Sequence, residues 1–112
     1  YKFGIPEDAD FIFDARCLRN PYWEKNLRNL NGKNKKIGNF FKKDKLPEEL
    51  IKSITIFLKK WVKVFSKQNK NYISIAVGCT GGKHRSVYIA EKLGENFKKI
   101  KNYKVLIKHR DI

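Results

Sequence analysis

Eight consecutive residues combine glycines with side chains that bind anions: Cys79, Thr80, Gly81, Gly82, Lys83, His84, Arg85 and Ser86. A β-branched, apolar run from Tyr72 to Val77 precedes them, and helical periodicity follows them. A strand, a glycine turn and a helix N-terminus leave backbone N–H groups unpaired and directed at one place. The helix dipole adds roughly half a positive charge there. The pattern therefore predicts a phosphate-binding loop, and we call residues 79–86 the anion loop.

The same residues permit two other interpretations. The spacing Cys79-x5-Arg85-Ser86 is that of cysteine-dependent phosphatases, in which a thiolate attacks phosphorus and an arginine binds two phosphate oxygens. That reaction also needs a general acid, for which Asp14 and Asp111 are the candidates. Alternatively, the glycines only allow a tight turn with positive φ. A Walker A sequence is excluded, because its spacing of glycine, lysine and serine or threonine is absent.

Length and composition set the class of protein. The chain has 112 residues, of which 41% are hydrophobic, and this predicts one domain with a modest core. No apolar run reaches the roughly 18 residues of a membrane-spanning helix, so no membrane partner is expected. Two widely spaced cysteines do not form a disulfide framework, which favours the reducing cytoplasm. Because the chain begins at Tyr1 rather than Met, we expect a fragment of a longer protein.

The chain is strongly basic, with 26 Lys and Arg against 11 Asp and Glu and a net charge of +15. Such an excess favours polyanions, and among these RNA is the expected partner. The alternative is a solvated lysine surface without a ligand. The lysines expected to contact RNA are Lys33, Lys35, Lys36, Lys42, Lys43, Lys104 and Lys108.

The elements around the anion loop predict an α/β fold with a small, mostly parallel sheet and flanking helices. Phe11 to Arg16 is the first predicted strand, and Asp14 and Arg16 share one side of it near its C-terminal end. Ligands bind at that end in open α/β sheets, so both residues are candidate ligands; the alternative is a structural ion pair or a cap. A helix begins at Pro47, with apolar residues repeating every three or four positions: Leu50, Ile51, Ile54, Leu58, Trp61, Val62 and Phe65.

A third strand is predicted from Tyr103 to Lys108, joined to the second by the helix that follows the anion loop. In that arrangement His109 and Arg110 lie at the same sheet edge as the loop, and both are candidate ligands. The two histidines, His84 and His109, are expected to make binding pH-dependent between about pH 5 and 8.

Residues 17–41 are predicted to be irregular, with turns at Asn20-Pro21, Asn31-Gly32 and Gly38. Basic residues alternate there with two aromatic residues, Tyr22 and Trp23. Such a mixture suits single-stranded RNA, whose bases stack on rings. We expect, however, that these rings pack the segment onto the body of the domain.

Several segments together resemble one family, the C-terminal domain of the RNase adapter protein RapZ (YvcJ). The block from Gly78 to Glu91 is the most specific of them. The others are Asp8-Ala9-Asp10, Phe13-Asp14-Ala15-Arg16, Asn20-Pro21 and His109-Arg110-Asp111. The resemblance covers residues 1–112. It departs from the family at Tyr22, where relatives often have His, and at Ile112, after which relatives continue into a basic tail.

The resemblance implies a cytoplasmic bacterial regulator with no catalytic residue in this domain. Its implied partners are a small regulatory RNA and a sugar phosphate such as glucosamine-6-phosphate, and it implies a homo-oligomer. The implied fold is similar to a phosphofructokinase subdomain. Relatives carry an N-terminal P-loop domain that binds ATP or GTP, so no cofactor and no metal are expected in this C-terminal domain.

Overall fold

A computed structural model describes residues 8–70, 72–100 and 103–110. These residues form two strands and three α-helices: β1 (Phe11–Asp14), α1 (Lys35–Phe41), α2 (Leu46–Ser66), β2 (Ile75–Gly78) and α3 (Arg85–Lys98). A short 3-10 turn, Pro21–Trp23, lies between β1 and α1. The predicted α/β class is confirmed.

The two strands form a parallel pair, as predicted. Phe11 lies opposite Ile75, and Asp14 lies opposite Gly78 at the C-terminal end of both strands. The pairing continues for one more bond, because the amide of Ala15 donates to the carbonyl of Gly78 at 2.8 Å. The chain segments that leave the two strands therefore start at the same sheet edge, which is where α/β folds bind ligands.

The long helix α2 follows the predicted periodicity. Pro47 lies in its first turn, where its missing N–H costs nothing, and Glu48 and Glu49 complement the helix dipole there. Ile54 and Leu58 are buried in the same core cluster as Leu93 of α3. The expected apolar face is correct except at Trp61, which is 37% exposed at the rim. In the part of the chain that the structure describes, no helix is long and apolar enough to cross a membrane.

The predicted third strand is wrong. Residues 103–109 belong to neither strand of the two-stranded sheet formed by the described residues. Burial alternates along the segment as in a strand, but its inward side chains meet α3: Ile107 lies against Gly94, and His109 contacts Glu91. Because this segment pairs with no strand among the described residues, α3 does not cross between paired strands. The parallel connection runs from β1 through α1 and α2 to β2.

The segment of residues 17–41 is more regular than predicted. Gly38, expected in a turn, lies inside α1, whose N-cap Asn34 accepts a hydrogen bond from the amide of Lys36. Ile37, Phe40 and Phe41 bury one side of this helix, so tertiary packing overrides the weak helix propensity of its glycine. Tyr22 and Trp23 do not pack inward: they are 46% and 76% exposed.

Candidate functional site

The anion loop joins the end of β2 to the start of α3, and its two glycines have left-handed backbone conformations. Gly81 has φ of 81° and Gly82 has φ of 67°, a region that L side chains rarely adopt. Within the described residues, the backbone amides of residues 80–84 donate no hydrogen bond. His84 provides no side-chain cap for α3. The loop therefore presents unsatisfied donors at a helix N-terminus, which is the arrangement that binds anions.

Burial divides the anion loop into two parts. Thr80 and Lys83 are exposed and the two glycines are half-buried, so this part is open to a ligand. The remaining members, Cys79, His84, Arg85 and Ser86, are buried. The surface that the loop offers to a ligand therefore consists mainly of the backbone of residues 80–83 and the Thr80 and Lys83 side chains.

A glycine turn outside the loop fixes its position. The amide of Gly32 donates to the carbonyl of Lys83 at 2.8 Å, and Asn31 accepts the amide of Lys33 to close the turn. Gly32 lies so close to α3 that a Cβ there would be 2.5 Å from the carbonyl oxygen of His84. The sequence signal was the Asn-Gly pair, which marks a turn but does not reveal what the turn contacts.

Cys79 is placed as a structural residue at the start of α3. It is 1% exposed, and its Sγ accepts the amide of Ser86 at 3.3 Å and donates to the Ser86 hydroxyl at 3.3 Å. The sulfur thereby satisfies one donor of the first helical turn. A nucleophile must reach its substrate, so this burial does not favour the phosphatase interpretation.

Arg85 is buried and bonded to backbone carbonyls rather than exposed to a ligand. Its side chain is buried, and Nη1 donates to the carbonyls of Arg16 at 3.0 Å and Leu18 at 3.2 Å. These bonds tie the first turn of α3 to the segment that leaves β1. The described hydrogen bonds of the guanidinium use Nη1 alone, so Nε and Nη2 remain as donors.

Asp14 and Arg16 form an ion pair with each other, which was the alternative to a ligand role. The Arg16 guanidinium contacts both carboxylate oxygens, with 2.6 Å between Nη2 and Oδ2, and the Arg16 amide donates to Oδ1 at 2.8 Å. These hydrogen bonds lower the pKa of Asp14, and the positive charge of Arg85 acts in the same direction. Asp14 is therefore ionised at neutral pH and is unsuited to be a general acid. Asp111, the other candidate acid, lies outside the described residues.

His84 is buried beneath residues 27–30 and is 5% exposed. Burial lowers the pKa of His84 below its ordinary value of 6.5, and Lys83 acts in the same direction. Carbonyls of Leu30, Arg28 and Leu27 oppose this shift. None of them bonds to Nε2, which has no partner within the described residues. The neutral imidazole is therefore favoured in the folded protein. Protonation of His84 should lower the stability of the fold.

We expect His84 to make stability fall as the pH decreases. Below about 6.5 the unfolded chain binds more protons than the folded chain, so the free energy of unfolding decreases from pH 7 toward pH 5. The measurement is chemical denaturation at pH 7, 6 and 5 in a His109→Gln background, with and without His84→Gln. The additional substitution should flatten the dependence. Equal pH dependence in the two proteins would remove His84 from this role.

The structure places His109 against α3 rather than beside the anion loop. Its Nε2 is 2.7 Å from Oε2 of Glu91, and its side chain is 8% exposed. No described hydrogen bond joins His109 to the loop, and Arg110 is exposed. Glu91, the partner that positions His109, was missed in the sequence because its contact spans 18 residues.

The lysines expected to contact RNA are all exposed: Lys33, Lys35, Lys36, Lys42, Lys43, Lys104 and Lys108. Within the described residues none of them forms an ion pair. Tyr22 and Trp23 stand edge to face with ring centroids 5.4 Å apart, and Arg28 lies over the Tyr22 ring. The surface thus carries unpaired cations together with exposed rings.

Comparison with known proteins agrees with this architecture. A family model described as the RapZ C-terminal domain matches residues 1–112. Proteins named nucleotide-binding protein from Hahella chejuensis and Chromobacterium violaceum are each 46% identical to the whole chain, which covers 39% of their length. A third, from Nitrosococcus oceani, is 42% identical, and the chain covers 40% of it. The chain thus spans about two fifths of these relatives, and it belongs to the RapZ C-terminal domain family.

Proposed function

We propose that this domain senses a phosphorylated metabolite through the anion loop. The observation that carries the proposal is the set of unsatisfied amides at residues 80–84, held open by two left-handed glycines at the N-terminus of α3. Phosphate oxygens would accept these N–H groups, and Lys83 would add a positive charge. Thr80 would contribute a hydroxyl.

An amino-sugar phosphate such as glucosamine-6-phosphate fits the charges around this loop. The phosphate would occupy the loop, while the ionised Asp14, at the same sheet edge, would share its carboxylate between Arg16 and an ammonium group of the ligand. The Asp14 side chain is 45% exposed, so a ligand can reach it. A sugar phosphate without an amino group would lose the charge attraction and could only donate hydroxyl hydrogen bonds to this carboxylate.

The domain would also act as an RNA-binding adaptor within a longer, cytoplasmic, oligomeric regulator. The exposed lysines would contact RNA phosphates, and Tyr22 or Trp23 would stack on an unpaired base. The relatives are named for nucleotide binding, but this chain covers only two fifths of them. A nucleotide therefore belongs in the ligand test as a competitor.

Gly81→Val should weaken phosphate binding by about fivefold or more. A Cβ at Gly81 meets nothing within 4 Å, so the loss would come from the backbone, which a β-branched residue cannot hold at φ of 81°. Forcing a non-glycine residue into this region costs roughly 1–2 kcal/mol, which corresponds to about a five- to thirtyfold weaker affinity, and β-branching increases it. Calorimetric titration with inorganic phosphate, glucosamine-6-phosphate and ATP measures the effect.

The matched control is Gly38→Ala, which changes a glycine in α1 whose Cβ would have only an ordinary contact with Tyr88. This protein should bind phosphate normally. Asp14→Asn should reduce the preference for glucosamine-6-phosphate over glucose-6-phosphate while leaving inorganic phosphate unaffected. Undiminished phosphate affinity in Gly81→Val would refute the loop as the binding site.

A further inference from the structure

A groove of about 910 Å³ runs between α2 and α3, away from the anion loop. Its α2 wall includes Lys52, Ile56 and Lys59, which lie three or four residues apart and so share one side of that helix. Its α3 wall includes Lys92 and Asn96, which are related in the same way. Side chains of both helices thus line the space.

The charge of this groove is mostly positive and mostly uncompensated. Five lysines line it, against two carboxylates, Asp44 and Glu48; the lysines are Lys42, Lys52, Lys59, Lys92 and Lys99. Asp44 is already engaged by Arg19 at 3.2 Å. Across residues 8–70, 72–100 and 103–110, only Lys92 among the five forms an ion pair, with Glu95. The complementary ligand is therefore acidic.

The apolar surface that the groove offers is aliphatic rather than aromatic. Ile56 is 62% exposed, and Ile51 and Ile100 are half-buried. The two rings that line the groove are almost covered, with Phe41 at 1% and Tyr88 at 6% exposure. Nucleic-acid bases need an accessible ring face on which to stack, and this groove has none to offer. Aliphatic side chains of a protein are the better match.

The floor of the groove is polar but satisfied. The Thr55 hydroxyl donates to the carbonyl of Ile51 at 2.7 Å and accepts Nδ2 of Asn96 at 3.1 Å. Within the described residues, no buried polar side-chain atom of this groove lacks a partner. A small polar ligand would therefore find no unpaired group on the floor of the groove, and mainly the flexible lysine ammonium groups could bond to it. Shape, aliphatic contact and charge remain as the means of recognition.

We infer that this groove binds an acidic amphipathic helix of a partner protein. Its aliphatic stripe, repeating every three or four residues, would lie on Ile51, Ile56 and Ile100. Carboxylates on both flanks would meet the lysines of the two walls. This is the helix-in-groove mode of recognition, in which apolar anchors give affinity and the charged rim gives specificity and a fast association rate.

The test uses a fluorescent peptide of roughly 14 residues, about four helical turns, with leucines in one stripe and glutamates elsewhere. Fluorescence anisotropy with the whole chain should show saturable binding. A scrambled peptide of the same composition keeps the charge but loses the stripe, and it should bind about tenfold more weakly. A version with lysine in place of glutamate should not bind. Equal binding of the scrambled peptide would overturn the inference, because it would show attraction by charge alone.

Two pairs of substitutions locate the site. Lys52→Glu with Lys59→Glu reverses charge inside the groove, and Lys63→Glu with Lys67→Glu makes the same change on exposed lysines outside it. The first pair should weaken the affinity for the peptide at least tenfold, and the second should change that affinity less than twofold. Equal losses would overturn the site. The affinity of single-stranded RNA is measured for both variant proteins as well. If Lys52→Glu with Lys59→Glu weakens RNA binding as much as peptide binding, and the second pair does not, the groove is a nucleic-acid surface instead.

Discussion

Gly32→Ala should be among the most destabilising single substitutions in this chain. A Cβ at Gly32 would lie 2.5 Å from the carbonyl oxygen of His84, 2.5 Å from the amide nitrogen of Tyr88 and 2.7 Å from Cβ of Val87. The first two atoms are backbone of α3 and its cap, so they cannot move aside as a flexible side chain would. The turn must therefore separate from α3, which breaks the bond between Gly32 and Lys83.

The expected loss is about 3 kcal/mol, the upper part of the usual range for overpacking. For a domain of this size it corresponds to a decrease in melting temperature on the order of 10–20 °C. Thermal and urea denaturation followed by circular dichroism measure it. Gly38→Ala is the matched control, since its Cβ would lie 3.8 Å from Tyr88 and alanine favours a helix interior. A Gly32→Ala protein within about 0.5 kcal/mol of the native one would contradict the close approach, since that is the usual range for surface substitutions.

RNA binding should depend steeply on salt if the exposed lysines contact phosphates. Each contacted phosphate lowers the logarithm of affinity by ~0.7 to 0.9 per unit of log salt concentration. Six contacts would then reduce affinity on the order of a thousandfold between 50 and 200 mM salt. Fluorescence anisotropy with a labelled single strand over this range gives the slope and hence the number of contacts.

Lys35→Glu with Lys36→Glu should weaken the binding of all RNAs and leave phosphate binding by the anion loop unchanged. Both lysines lie in the first turn of α1, where positive charge opposes the helix dipole, so their removal should not destabilise the fold. Contact with a ligand therefore explains the two lysines at this position better than a contribution to stability does. Lys63→Glu with Lys67→Glu controls for net charge. No measurable RNA binding at 50 mM salt, or the same weakening in both proteins, would leave the lysines as a solvated surface.

A substitution at Trp23 tests whether an unpaired RNA base stacks on its exposed ring. Trp23→Ala removes a ring that is 76% exposed and so costs little stability. Because a stacked base contributes about 1–3 kcal/mol, a single strand that stacks there should lose roughly five- to a hundredfold in affinity. Duplex RNA of the same length should be affected much less, since its bases are already stacked.

The sequence by itself determined those features that depend on neighbouring residues. The period of Leu50 to Phe65 defined α2, because an amphipathic helix repeats its apolar residues locally. The succession of apolar run, glycines and cationic residues placed the anion loop before α3, because a turn with positive φ favours glycine whatever surrounds it. The same block identified the family, which the comparison confirmed.

Only the tertiary structure decided where the side chains of the anion loop point. Arg85 bonds to carbonyls 67 and 69 residues away, and His84 is buried under a segment more than 50 positions earlier, so no local pattern encodes either contact. Buried and exposed residues do alternate from Tyr103 to His109. Such alternation indicates only that one side of the segment is buried. The covered side packs on α3, where Gly94 leaves space for Ile107, and this packing does not determine whether the backbone pairs with another strand. Pairing partners of a strand depend on contacts across the whole chain, and periodicity cannot supply them.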